Sequence, residues 1–171
     1  MSSLPRLDIR LKRHADGSAS ITLTRADGSV TWQRQKGSLA LVFPSHDLTH
    51  YAVEQTLGFR HGFFGLVADG WEIADFTTPW PRGPIPAEAR EVEMLVGLFS
   101  GMRANHGSCD AAELNGQLRQ LIAESRFADD ITPRVLRDAE VDAVRQARDA
   151  LLARWGTIAP GNAMELEFAG G

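Results

Sequence analysis

The tetrapeptide Ala-Asp-Gly-Ser occurs twice near the start of the chain, at 15–18 and again at 26–29. Each copy carries the Asp-Gly pair that favours a tight hairpin, and each stands between segments that alternate apolar and polar residues. Leu7, Ile9 and Leu11 alternate with Asp8, Arg10 and Lys12; Ile21 and Leu23 alternate with Ser20, Thr22 and Thr24; Val30 and Trp32 alternate with Thr31 and Gln33. A period of two sends neighbouring side chains to opposite faces, so this region predicts an antiparallel meander with one buried face. Two copies make a meander and not a solenoid, which needs about three units or more.

Beyond the break at Gln35–Ser38, the apolar run Leu39–Phe43 reads as a fourth strand or an extended lead-in, stopped by Pro44. A helix is then expected over 46–57, capped by Ser45 or Asp47 and ended by Gly58 in a left-handed turn. On that helix His46, His50, Val53, Glu54 and Leu57 share one arc, while Leu48, Tyr51 and Ala52 occupy the other. Both arcs are partly apolar, so the helix should be covered from two directions. A short helix follows over 62–69, where Gly65 suits a close approach of another backbone or a ligand, with close packing preferred.

Residues 77–86 hold four of the eight prolines and read as an extended surface linker. Three longer helices are predicted at 86–103, 110–125 and 133–155. The second starts on a capping box of Asp110 and Glu113 and buries Leu114, Leu118, Leu121 and Ile122; the third buries Leu136, Ala139, Ala143, Ala147 and Leu151. Met164, Leu166 and Phe168 alternate with Glu165 and Glu167, giving a last strand at 163–168 whose acids would face Arg10 and Lys12. The fold class is therefore α+β: a single domain over 1–171, its sheet formed by 6–43 and 163–168, packed against about five helices in 46–155.

Residues 1–37 carry a net charge of +4 and the remainder −8, an asymmetry that cross-strand pairing, an anionic partner or a basic-to-acidic dimer would each use. The polar face of the predicted sheet has Arg10 and Lys12 without interleaved rings, so no nucleic-acid partner is expected. No apolar run approaches the roughly 20 residues that span a bilayer, and no hydrophobic leader opens the chain, so a cytoplasmic protein without a membrane partner is expected. The single cysteine, Cys109, leaves no Cys-x-x-Cys motif. Cys109 and His106 read as structural and not as a nucleophile and its base.

The chemistry concentrates at His46, His50 and Glu54, which recur at i, i+4 and i+8 on one ridge. Imidazoles one turn apart suit a divalent metal such as zinc, with a carboxylate as third ligand. His46 and Glu54 are nevertheless separated by about 12 Å of helix axis, so a metal would need ligands from elsewhere. Without a metal, His50 and Glu54 form a candidate catalytic pair, and His61, Asp69 and Trp71 are candidate ligand-binding residues nearby. Two functional readings result. A non-catalytic interaction domain, dimeric, with the central stretch as core, ranks first because no complete catalytic set is visible. The alternative is a small-molecule or metal-dependent, hydrolase-like enzyme with its pocket at His46, His50 and Glu54, in which metal ranks behind metal-free chemistry.

Overall fold

A computed structural model describes residues 6–104 and 109–170. Four strands, β1 (Arg6–Arg13), β2 (Ala19–Arg25), β3 (Val30–Gln35) and β4 (Ala163–Ala169), form one antiparallel sheet in the order β3-β2-β1-β4. Five α-helices pack with it: α1 (Leu39–Leu57), α2 (Phe63–Ala68), α3 (Ala87–Ala104), α4 (Ala111–Glu124) and α5 (Asp138–Gly156). A short 3-10 helix covers Ile73–Phe76. The fold is thus the expected α+β arrangement of an N-terminal meander joined by a C-terminal strand.

Both repeated tetrapeptides close their hairpins with the same device. Asp16 Oδ1 accepts the Ser18 backbone N–H at 2.9 Å and its hydroxyl at 2.6 Å, and Asp27 does the same for Ser29 at 2.9 and 2.6 Å. Gly17 and Gly28 supply the left-handed backbone, with φ of 82° and 83°, that an L side chain would resist. β4 then pairs with β1 so that Glu165 lies opposite Arg10, with an ion pair at 3.8 Å, while Arg6 reaches Glu167 at 2.9 Å. Lys12 stands opposite Ala163 and takes no part in that pairing.

Two helix starts and the phase of one strand differ from the sequence expectation. Leu39–Phe43 is not a strand but the first turns of α1, with Pro44 inside the helix. The helix opens through i→i+3 bonds, Ala40 N–H to Gly37 O and Leu41 N–H to Ser38 O. Proline at the sixth position sacrifices only the bond to the Ala40 carbonyl, an early loss that this tight opening tolerates. Neither Ser45 nor Asp47 is therefore a cap. Gly58 does end the helix in the left-handed region, φ 69°.

The phase of β3 is also reversed. The second hairpin sets Thr31 opposite the buried Leu23, so Thr31 points into the core while Val30 and Trp32 are 48% and 66% exposed. Register outweighs hydrophobicity here because a one-residue shift would turn every side chain of the strand over. The third long helix, finally, starts at Asp138. Residues 131–137 form no regular element and are held by the buried Asn115 side chain, which donates to Leu136 O and accepts from Leu136 N–H at 2.8 and 2.9 Å. The inward stripe of α5 is consequently Val141, Val144, Arg148, Leu152 and Trp155, while Ala139 and Ala143 are exposed, as is Leu121 of α4.

Glu140 caps this late start. Its carboxylate accepts Arg137 N–H at 2.9 Å and pairs with Arg134 at 2.6 Å, contacts that hold its carboxyl down at about 2. A depressed acid contributes stability above its unfolded range, near pH 4.3, and loses that contribution as pH falls towards about 2. Glu140→Gln should therefore lower stability at neutral pH by about 1 kcal/mol, the usual worth of a helix cap, and flatten the profile between roughly pH 4.5 and 2. Urea melts across that range check it.

Two apolar clusters result, and α1 serves both. Leu48 and Ala40 face the sheet, with Leu7, Ile9, Leu23 and Phe168, while Ala52, Val53 and Leu57 face the helical layer of α3, α4 and α5. The central helix is covered from two directions, as its doubly apolar pattern requires.

Candidate functional site

Where α1 leaves the sheet edge, its histidine ridge meets α3 beside a cavity of about 1160 Å³. His50 is almost fully buried, and both ring nitrogens are held: Nδ1 is 3.2 Å from Glu54 Oε1, and Nε2 is 2.8 Å from Glu93 Oε2. His46, one turn earlier, stacks edge-on against His50 with ring centroids 4.7 Å apart, and its Nε2 lies 3.5 Å from Glu93 Oε1. His46, His50 and Glu93 thus bring two imidazoles and one carboxylate together, their ligand atoms all within 4.8 Å of one another.

Glu54 stands one step behind this cluster. Its carboxyl is completely buried, with one oxygen on His50 and the other accepting the backbone N–H groups of Phe64 and Gly65 at 3.0 and 3.3 Å. It therefore fastens the start of α2 to α1 and fixes the orientation of the His50 ring. Two glycines make room for this. A Cβ on Gly62 would run into the Glu54 side chain, and one on Gly65 into the Arg60 carbonyl, both closer than real side-chain carbons come. The approach to Gly65 is that of a backbone and not of a ligand.

The electrostatics follow from this geometry. Burial disfavours charge on His50, but the hydrogen bonds and charges of Glu54 and Glu93 outweigh it and lift the imidazole to about 9. Burial and the neighbouring His50 charge push His46 down, against the pull of Glu93. Partial burial would raise Glu93, yet the hydrogen bond and charge of His50 hold it below the ordinary glutamate value. Asp47, on the same wall, is pushed up to about 7 by burial, and it forms no hydrogen bond or ion pair with the described residues.

The cavity walls are largely apolar. Phe43, Phe63 and Phe76 stand near the histidines, with Phe63 packed on His50 at 5.7 Å and on Phe76 at 4.8 Å. The 3-10 helix that carries Ile73 and Phe76 is anchored from the sheet: Thr31 Oγ1 accepts Ile73 N–H at 3.2 Å, which accounts for a threonine on the inner face of β3. The buried Arg25 completes the anchor, donating to Val67 O at 2.7 Å, Trp71 O at 2.5 Å and Glu72 at 2.9 Å.

The remaining sequence candidates lie elsewhere. His61 is exposed, 3.3 Å from Glu88 and 4.0 Å from Asp69, and neither His61 nor Asp69 lines the cavity. Trp71 backs the cavity wall through Phe76, ring centroids 5.2 Å apart, without lining it. Cys109 is buried with its thiol directed at Met102 Sδ, and burial pushes that thiol up, away from nucleophilic use; His106 lies outside the described residues. Glu93 is the residue that sequence reasoning did not find. It sits beside Val92 on α3 and looks like ordinary solvated charge next to an apolar stripe.

Set beside models of protein families, curated proteins and solved structures, the chain matches none of them.

Proposed function

We propose that the protein is a divalent-metal-dependent enzyme of hydrolytic type, with His46, His50 and Glu93 as metal ligands. The observation that carries this reading is the convergence of two α1 imidazoles and one α3 carboxylate at the wall of a large open cavity. With one ligand atom from each residue, the three atoms lie within 4.8 Å of one another, so side-chain rotation would have to draw them to the roughly 3.3 Å spacing around a zinc-sized ion. Behind them, Glu54 holds the far nitrogen of His50, the carboxylate–histidine support that fixes a ligand's tautomer and raises its basicity.

In this reading His46, His50 and Glu93 would hold the cation, and His50 Nδ1–H would donate to Glu54. Such an ion would supply Lewis acidity and make a nearby water more acidic. Asp47, which lines the same cavity and whose side chain forms no hydrogen bond or ion pair with the described residues, would serve as the proton acceptor. In hydrolysis of a carbonyl substrate, water would add to the carbonyl, the bond to the leaving group would break, and Asp47 would pass the proton of that water to the leaving group.

Cobalt(II) titration of chelator-treated protein tests the assignment. One equivalent should bind with visible absorption bands from imidazole ligation, and Glu93→Gln should weaken binding at least about tenfold while leaving the circular dichroism unchanged, since that side chain is 60% exposed. Identical titrations of the two proteins would contradict it.

The interaction-domain reading, a non-catalytic dimer, has one observation in its favour. Leu39 and Leu41 are 48% and 76% exposed at the start of α1, and Val30 and Trp32 are exposed on β3, an edge strand. Sedimentation at high concentration decides it: a dimer dispersed by Trp32→Arg supports that reading, and a monomer at every concentration removes it.

A further inference from the structure

The cavity beside the histidine cluster is larger than a metal site alone requires. Its volume of about 1160 Å³ exceeds the roughly 300–1,000 Å³ of ordinary small-molecule pockets. Apart from the histidines, its lining includes Phe43, Phe63, Phe76, Ile85, Met94 and Phe127. Val42, on its rim, is 59% exposed, an apolar side chain at the mouth of an apolar cavity.

Several polar side chains of the lining are committed elsewhere, while those of Gln33 and Asp47 form no hydrogen bond with the described residues. Glu72 is paired with the buried Arg25, and Thr31 holds the backbone of Ile73. Arg90 is the one lysine or arginine among the lining residues, and its guanidinium lies 3.7 Å from the centre of the Phe127 ring and 3.6 Å from Asp130. A sugar or nucleotide would find few free hydrogen-bonding partners here, and Asp47, Glu72 and Glu93 on the wall would repel a phosphate. An apolar body covers this surface at no such cost.

Resting on the reading of His46, His50 and Glu93 as a metal site, we propose that the substrate is an acyl compound, an ester or amide of a long-chain or arylalkyl carboxylic acid. Its carbonyl lies at the metal, and its hydrocarbon body fills the cavity toward Met94 and Phe127. Selectivity then comes from the length of the apolar body, because burial rewards each added methylene. The rim residue Val42 covers the part of the chain nearest the mouth.

Straight-chain hydroxamic acids, which combine a metal-binding head with an apolar tail, test this in the zinc-loaded full chain by calorimetric titration. Decanohydroxamate should bind at least about a hundredfold more tightly than acetohydroxamate, with hexanohydroxamate between them. Phe76→Ser should reduce that gain at least about tenfold; Val42→Asp, on an exposed position, should reduce it also and guards against a Phe76 variant that fails to fold. Zinc retained with equal affinity for all three tails would overturn the acyl assignment and leave the metal site standing. Tail-dependent binding that neither variant alters would overturn it as well, since the tail would then bind elsewhere. Failure to retain zinc would remove both proposals together.

Discussion

Gly65→Ala should destabilise the protein by about 3 kcal/mol or more, and the loss should show as a fall in both melting temperature and urea midpoint. The methyl group would be directed at the Arg60 carbonyl, a backbone atom that cannot rotate away as a flexible side chain can. Overpacking ordinarily costs about 1–3 kcal/mol, and a backbone collision lies at the upper end or beyond. The damage would not stay local. Gly65 N–H and Phe64 N–H both donate to Glu54, so displacing α2 also withdraws the support from His50. Gly62→Ala should behave differently, because it meets the Glu54 side chain, and relief there comes from turning that carboxyl off His50. Its signature is a weaker metal site with a smaller loss of stability.

The second large effect is expected at the histidines, where two substitutions separate ligand from scaffold. His50→Ala removes a ligand and also leaves one oxygen of the buried Glu54 without its partner, so it should abolish metal retention and cost about 1–3 kcal/mol of stability. His46→Ala should abolish retention equally and cost little, since its side chain is 34% exposed and its polar contact is the exposed Glu93. Loss of metal in both variants with destabilisation in only one is a pattern that a purely structural histidine pair would not produce.

Much of this architecture was legible in the residues. The Asp-Gly repeats marked both hairpins because their side-chain bonds are local, and the acids of β4 marked its partner because Glu165 has a direct cross-strand counterpart in Arg10. The position of α1 between two layers was legible for the same kind of reason, its apolar residues falling on both arcs. What was not legible depended on contacts distant in sequence. The run Leu39–Phe43 before Pro44 has the composition of a strand, and only the opening from Gly37 and Ser38 makes it helical. Thr31 faces inward because register and the Ile73 N–H require it, against the hydrophobicity of Val30 and Trp32.

The site divides in the same way. His46 and His50 were visible as a helical pair, and the need for a ligand from another element followed from the length of the ridge. Nothing in the linear sequence joined that ridge to Glu93, whose approach depends on the packing of α3 against α1. Glu54, in turn, has the right spacing for a ligand but serves as the support of His50, a role set by the N–H groups of α2 that converge on its other oxygen. His61 and Asp69 do come near each other, but on the outer surface beside Glu88.

The measurement that tests the metal centre most directly is elemental analysis of purified, untagged protein after exposure to zinc, manganese and iron and removal of the excess, carried out beside His46→Ala and His50→Ala. About one equivalent of a single metal is expected in the parent chain and essentially none in either variant. A parent chain that holds no more metal than the two variants would contradict it.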